Sequence, residues 1–341
     1  MTSATPTVPP IIPTTMRALV QRGYGTSDVL ADEMRPVPTP RRGEVLVHVE
    51  AMSPDAGTIH LLAGRPLMVR PAVGWRTPRQ PVPGLALAGQ VVAIGEEVTT
   101  IAVGDRVAGS GAGALAEYAV APARKLALVP SAVSMTDAAS IPISAVTALQ
   151  AVRDVARVEA GQRVLVIGAG GGVGAFAAQY AGLAGADVTA VVSARKSDFV
   201  RSLGVERLID YARESDPSRW GTFDVVIDTA DGRPLHVLRR ALTRRGTLVI
   251  VGADGVGGPV FEGFDRQLFR VPLANVVASQ RIASVMQKET GDDVARVLGQ
   301  VAEGSIASAV TEVVPFADAR AALDRLAAKQ VAGKLVVTLG R

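Results

Sequence analysis

From about residue 137 the chain alternates two textures. Short apolar runs at 164–167, 188–192, 208–209, 225–227, 248–251 and 282–285 are separated, in most cases, by alanine-rich stretches with helical spacing. Runs this short, bounded by turn residues, predict strands. Strand and helix in alternation predict a parallel sheet covered on both faces. The spacing is that of a doubly wound α/β fold. Upstream the pattern differs. Residues 16–20 and 43–49 read as strands, and Val45, Val47 and Val49 give the second a buried face. Residues 81–107 are rich in glycine and valine, with turn signals at Gly95-Glu96 and Gly104-Asp105, and predict a small all-β unit. Helical patterns return at 292–302 and 317–329, and the chain closes with a strand at 334–338. The organisation expected is a flexible arm over 1–15, a β-rich first domain over 16–139, an α/β second domain over 140–287, and a return to the first domain over 288–341.

Composition narrows this picture. Hydrophobic residues make up 48% and charged residues 20% of 341 residues, which suits a globular chain of two domains. Only 4% are aromatic, so Ala, Val, Leu and Ile must build the core. The stretch 164–186 carries no charge and has the length of a membrane span, but its glycines favour a strand and a buried helix joined by a turn. The first 15 residues lack the charged start and apolar centre of a signal peptide. The expected location is the cytoplasm. The net charge of +4 comes from cations interleaved with acids, so neither a nucleic acid nor a membrane is an expected partner. There is no cysteine, which excludes disulfides and thiolate metal ligands.

The sharpest local signal is Gly168-Ala169-Gly170-Gly171-Gly172-Val173-Gly174, between an apolar strand and an apolar helix. A diphosphate needs closely approaching backbone N–H groups and the positive end of a helix dipole. Side chains at the turn would hold it off, so the turn must be glycine-rich. The next strand ends Val192-Ser193-Ala194-Arg195-Lys196, with two cations where an NAD site places a carboxylate for the ribose hydroxyl. A carboxylate would repel a 2′-phosphate, whereas Arg195 can clasp one with two hydrogen bonds. The cofactor expected is therefore NADPH. The competing reading of Arg195 and Lys196 is a solvated helix start, which the helix dipole disfavours unless an anion compensates.

Several further motifs occur in order along nearly the whole chain: Pro83-Gly84 with Ala88-Gly89, Val91-Val92 with Gly95, Gly104-Asp105-Arg106-Val107, Ala116-Glu117-Tyr118, and Thr147-Ala148-Leu149. Jointly they resemble the medium-chain dehydrogenases/reductases, in texture the zinc-free quinone oxidoreductase (zeta-crystallin-like) branch. The resemblance implies a Rossmann domain with a GroES-like β-barrel, a cleft between them and a homodimer, for which the strand near residues 281–286 offers a sheet edge. It assigns cofactor contacts to Gly170, Gly171, Gly172, Val173, Ser193, Arg195 and Tyr211, extended here to Lys196. It brings Thr147, Gly252 and Ala253 to the nicotinamide half.

Zinc-dependent relatives hold their metal with a Cys and a His. The resemblance aligns those positions with Asp55 and Leu85, and a frequent neighbouring Glu with Ala86. Leucine offers no ligand atom, so no metal is expected. Without a Lewis acid, the chemistry shifts to acceptors that spread their own negative charge, such as quinones and α,β-unsaturated carbonyls. Asp55, Thr58 and His60 are the candidate catalytic residues in the cleft. An imidazole, ordinarily titrating near pH ~6.5, suits a proton donor. Asp55 could equally cap the following helix, and His60 could merely satisfy a hydrogen bond. Trp75, in a Pro-rich loop over 65–79, suits either a lid over a flat ligand or simple surface packing. The small-molecule reductase therefore competes with a non-catalytic NADPH-binding regulator, motivated by Leu85 and Ala86, and with a biosynthetic enoyl reductase.

Overall fold

The computed structural model describes residues 12–230, 232–251, 260, 261, 263, 271 and 279–339. An antiparallel ribbon opens it: β1 (Thr15–Gln21) pairs with β2 (Leu30–Pro36) along its whole length. Five strands follow: β3 (Glu44–Met52), β4 (Ala86–Ile94), β5 (Arg106–Ser110), β6 (Tyr118–Pro122) and β7 (Leu126–Leu128). After them the chain turns helical, and the α/β part begins at β8 (Arg163–Ile167). It continues through β9 (Asp187–Val192), β10 (Arg207–Asp210), β11 (Phe223–Asp228), β12 (Leu242–Ile250) and β13 (Arg281–Ser284). Last come β14 (Val310–Pro315) and β15 (Lys334–Thr338).

The α/β sheet runs β10-β9-β8-β11-β12-β13, every pair parallel. Growth starts at β8, moves outward to β10, then restarts on the other side of β8 with β11. The loop after β8 therefore lies at the point where the strand order reverses, which in open parallel sheets is the ligand crevice. That loop is the glycine cluster. Alternation along the strands explains why helices cover both faces. Val164 and Val166 of β8 pack into one buried cluster with Ala175, Phe176 and Ala178, while Leu165 and Ile167 face another with Val226, Leu248 and Trp220. Phe176, fully buried in an aromatic-poor core, is worth roughly 1.5–3 kcal/mol of apolar burial.

The other sheet runs β14-β15-β3-β4-β5-β7, with β6 also on β3. Its core joins Val45, Val47 and Val49 of β3 to Leu87, Leu335 and Val337. The alternation read from the sequence is thus the buried face of a real strand. The fold class expected from the sequence, a doubly wound parallel sheet with a separate β-rich unit, is the one observed. Strand β14 alternates exposed residues with half-buried ones at the sheet edge, and its weak apolar signal explains why no strand was expected there. Helix Ala319–Ala327 leads back into β15, which pairs with β3. Between them, the segment over 328–333 passes directly against the glycine loop. No helix among the described residues is long and apolar enough to cross a membrane.

Candidate functional site

The glycine loop is set by its backbone. Gly168 has φ of 83°, a left-handed conformation that turns the chain sharply off β8. Gly171 N–H donates to the Gly168 carbonyl at 2.9 Å, and helix Gly172–Leu183 starts immediately after, with Val173 in its first turn. A Cβ on Gly174 would lie 2.2 Å from the Gly168 oxygen, so only glycine lets the helix approach the strand end this closely. A Cβ on Gly171 would meet nothing nearer than 3.4 Å. Glycine there is not demanded by the protein's own packing. The first turn thus presents bare N–H groups at a positive helix end, which fits a diphosphate.

Two cations flank this loop. At the tip of β9, the chain passes Ser193 into a 3-10 turn over Ala194–Lys196. The Lys196 side chain lies across Gly170, where a Cβ would come within 2.8 Å of its Cδ. Burial, reinforced by Arg195 beside it, pulls the Lys196 ammonium below the usual lysine range. Tyr211, exposed, follows the tip of β10. Gly252 and Ala253 lie outside the described residues.

The second cation is Lys334, which sequence reasoning missed. It is 2% exposed, and its Nζ donates to the Pro54 carbonyl at 3.1 Å. Its stem abuts Gly172, as does the Ser144 hydroxyl: a Cβ on Gly172 would meet Lys334 Cδ at 2.7 Å and Ser144 Oγ at 3.1 Å. Burial pushes its ammonium below the usual lysine range, and the Asp55 carboxylate opposes that push. The signal available in the sequence was a lone lysine opening an apolar strand, where a buried position is costly.

On the first-domain side, Asp55 caps helix Ala56–Ala63. Its Oδ1 accepts from Thr58 N at 2.8 Å and from the Thr58 hydroxyl at 3.2 Å, and its own N–H donates to Thr58 Oγ1 at 3.3 Å. This reciprocal capping box shows Asp55 as the helix cap and engages the Thr58 hydroxyl. The Asp55 Oδ2 atom is buried and has no hydrogen-bond partner, so one oxygen remains for a ligand. His60 lies half-buried one turn further along the same helix. Lys334 thus reaches from the start of the phosphate-loop helix at Gly172 to Pro54, the residue before the Asp55 cap.

Thr147 is 9% exposed and donates to the Ile143 carbonyl at 2.6 Å. Its hydroxyl also faces Gln287 Oε1 at 3.0 Å, and Gln287 Nε2 donates to the Pro142 carbonyl at 2.8 Å. Gln287 was not singled out from the sequence, because its role depends on a contact 140 positions away. The Trp75 loop is pinned at its base. The Tyr24 hydroxyl donates to the Gly74 carbonyl at 2.6 Å, and the Arg70 guanidinium sits 4.6 Å above the Tyr24 ring. Trp75 itself is 68% exposed. Across the loop, Met68 N–H donates to the Val260 carbonyl at 3.1 Å.

The donor set does not fit the Cys and His ligands of the zinc-dependent relatives. The sequence has no cysteine, Leu85 carries no ligand atom, and the described residues hold no cluster of three or more His, Asp or Glu.

Comparisons with known proteins agree with this architecture. An alcohol dehydrogenase GroES-like domain matches residues 41–131, and a zinc-binding dehydrogenase family matches residues 203–337. The chloroplastic quinone-oxidoreductase QR1 of Triphysaria versicolor is 30% identical over 94% of this chain and 98% of its own. A 2-methylene-furan-3-one reductase of Solanum lycopersicum is 30% identical over 72% of this chain and 67% of its own. The structure of mycobacterial Rv1454c complexed with NADPH superposes with a TM-score of 0.81 at 28% identity, covering 95% of this chain and 99% of the other.

Proposed function

The chain belongs to the quinone oxidoreductase branch of the medium-chain dehydrogenases/reductases, and from that membership we propose that it reduces a quinone or an α,β-unsaturated carbonyl compound with NADPH and without a metal. One observation carries the reading: a bare helix start at the switch point of the sheet stands between cations at the β9 tip and a buried lysine from the return strand. NADPH bound there supplies a hydride, with its electron pair. The chain's residues do the rest. The Gly170–Val173 turn and Lys334 hold the diphosphate, while Arg195 and Lys196 recognise the 2′-phosphate. Thr147, oriented by Gln287, borders the nicotinamide half. Asp55 offers its free oxygen to a hydroxyl, and His60 delivers the proton that follows hydride addition.

The missing zinc ligands select the substrate class. An isolated ketone concentrates charge on one oxygen and needs an electrophile there. A quinone or enone spreads that charge to a phenolate or enolate oxygen, for which a hydrogen-bond donor suffices. Relatives named for a quinone and for a conjugated furanone fit the same preference.

The test is oxidation of NADPH, followed by absorbance, against a panel of quinones and enones with and without a strong chelator. Turnover unchanged by the chelator is expected. Tight NADPH binding with no turnover across the panel would favour a regulatory protein instead. Activity lost to the chelator and restored by zinc would overturn the metal-free chemistry.

Lys334→Met gives a second check. Removing a buried ammonium removes a desolvation cost, so Tm should hold or rise. The Kd for NADPH should rise roughly ten- to a hundredfold, the scale of one charge-assisted hydrogen bond of about 1.5–3 kcal/mol. The sign of the pH effect is fixed as well. A lysine whose folded pKa is depressed binds its proton better in the unfolded chain, so its penalty on stability fades as pH rises toward the ordinary lysine value. Lys334→Met should erase that rise. A lower Tm with an unchanged Kd would leave Lys334 a purely structural role.

A further inference from the structure

The two cations assigned to the 2′-phosphate are already engaged by the chain itself. Arg195 Nη2 donates to the Lys329 carbonyl at 3.0 Å. Lys196 Nζ donates to the same carbonyl at 3.1 Å and to the Val331 carbonyl at 2.5 Å. These carbonyls belong to the short segment that links helix Ala319–Ala327 to β15, on the side of the other sheet. Lys329 holds this segment in a left-handed turn, with φ of 57°. Four residues on, Gly333 N–H donates to the Gly170 carbonyl of the phosphate loop at 3.0 Å. A Cβ on Gly333 would lie 2.3 Å from the Ala309 oxygen and 2.6 Å from Phe199, so the segment is closely fitted where it crosses the loop. The next residue is Lys334, bonded to Pro54. One stretch of backbone therefore runs from the β9 tip, across the phosphate loop, to the Asp55 cap.

We propose that this segment is a strap that senses the cofactor: the 2′-phosphate competes with the Lys329 and Val331 carbonyls for Arg195 and Lys196, so NADPH, and not NADH, releases it. The inference rests on the NADPH reading above. Its physical basis is an unequal contest. Among the described residues neither cation forms an ion pair with a carboxylate, so neutral carbonyls are their acceptors. A half-buried ammonium next to a guanidinium is short of negative charge, in keeping with the direction of its titration. A phosphate with charge near −2 supplies that charge, and its charge-assisted bonds are roughly twice as strong as neutral ones. Lys196 spans Gly170 to reach Val331, so drawing it toward the ribose removes the bonds that tie the strap to the β9 tip and leaves Gly333 N–H on the Gly170 carbonyl as its remaining link to the loop. NADH has a hydroxyl at that position and leaves the contacts in place. The cofactor's identity would then be reported at Gly333 and Lys334, next to the Asp55 carboxylate, before any substrate binds.

Hydrogen exchange of the full chain, followed by mass spectrometry on peptides covering 328–334, tests this in three states: free, saturated with 2′,5′-ADP, and saturated with 5′-AMP. The first ligand carries the 2′-phosphate without nicotinamide, and the second differs from it only in lacking that phosphate. Exchange across the strap should rise at least about fivefold with 2′,5′-ADP and stay at the free level with 5′-AMP. Lys196→Met should raise exchange in the free protein and abolish the further rise. Calorimetry on the same samples separates the two ideas. If 2′,5′-ADP binds no better than 5′-AMP, the 2′-phosphate reading fails and the strap with it. If it binds better and strap exchange is unchanged or slowed, only the strap fails.

Discussion

Replacing Arg195 and Lys196 together by glutamate is expected to raise the Kd for NADPH by about two to four orders of magnitude and to leave NADH within a few-fold. The estimate follows from the acceptor. Two charge-assisted bonds to a phosphate are worth about 1.5–3 kcal/mol each, and every ~1.4 kcal/mol is tenfold in affinity. Two acids in their place add repulsion of a group with charge near −2. Both residues lie at the β9 tip, where the doubly wound fold seats the adenosine ribose. NADH is the internal control, because the double variant also surrenders the contacts to the Lys329 and Val331 carbonyls. Any general loosening of the strap acts on both cofactors. Only the charge reversal acts on the 2′-phosphate. Titration calorimetry of the two cofactors reads the difference directly, and an equal loss for both would reduce Arg195 and Lys196 to props for the strap.

That control matters because the sequence could reveal the cations and not their partners. The path from β8 through the glycine turn to an apolar helix was legible locally, since strand, turn and helix each carry their own signal within 23 residues. The closing strand was legible for the same reason, and β15 covers the expected 334–338, one residue beyond its apolar run at each end. Lys334 was not. Its chemistry exists only because the start of β15 brings residue 334 against residues 54 and 172, and such approaches leave no mark on spacing. Asp55 shows the opposite case. The pair Asp55 and Thr58, three apart at the start of an apolar helix, is a capping signature. Thr58 was expected only as a hydroxyl in the cleft, and in the structure that hydroxyl donates to Asp55 within the box at 1% exposure. The other Asp55 oxygen, Oδ2, is buried outside the box with no hydrogen-bond partner.

Two alanine variants should separate the fold's use of the glycine loop from the ligand's. Gly174→Ala is expected to lower stability by about 1–3 kcal/mol and to weaken NADPH binding by a hundredfold or more. Its Cβ would stand 2.2 Å from the Gly168 oxygen, 2.7 Å from the Gly168 carbonyl carbon and 2.8 Å from the Ala169 Cα. These are backbone atoms, fixed by β8 and by the left-handed turn at Gly168, and cannot swing aside as a side chain would. The helix must retreat instead, which is the cost of overpacking. Retreat moves the first-turn N–H groups away from the phosphates, so folding and affinity fall together. Gly171→Ala differs in kind. Its backbone is extended, with φ of −101°, and the added carbon finds only the Gly168 oxygen, at 3.4 Å. The folded chain has room for that methyl, and Tm should stay within a few degrees. A diphosphate lying on the turn has no such room, so the Kd for NADPH should still rise more than tenfold. Thermal melts and cofactor titrations on the two variants give four numbers, and the decisive one is the Gly171→Ala affinity. Were it equal to that of the unsubstituted chain, nothing would approach the turn closely enough for glycine to matter there, and the site for the diphosphate would have to be sought elsewhere.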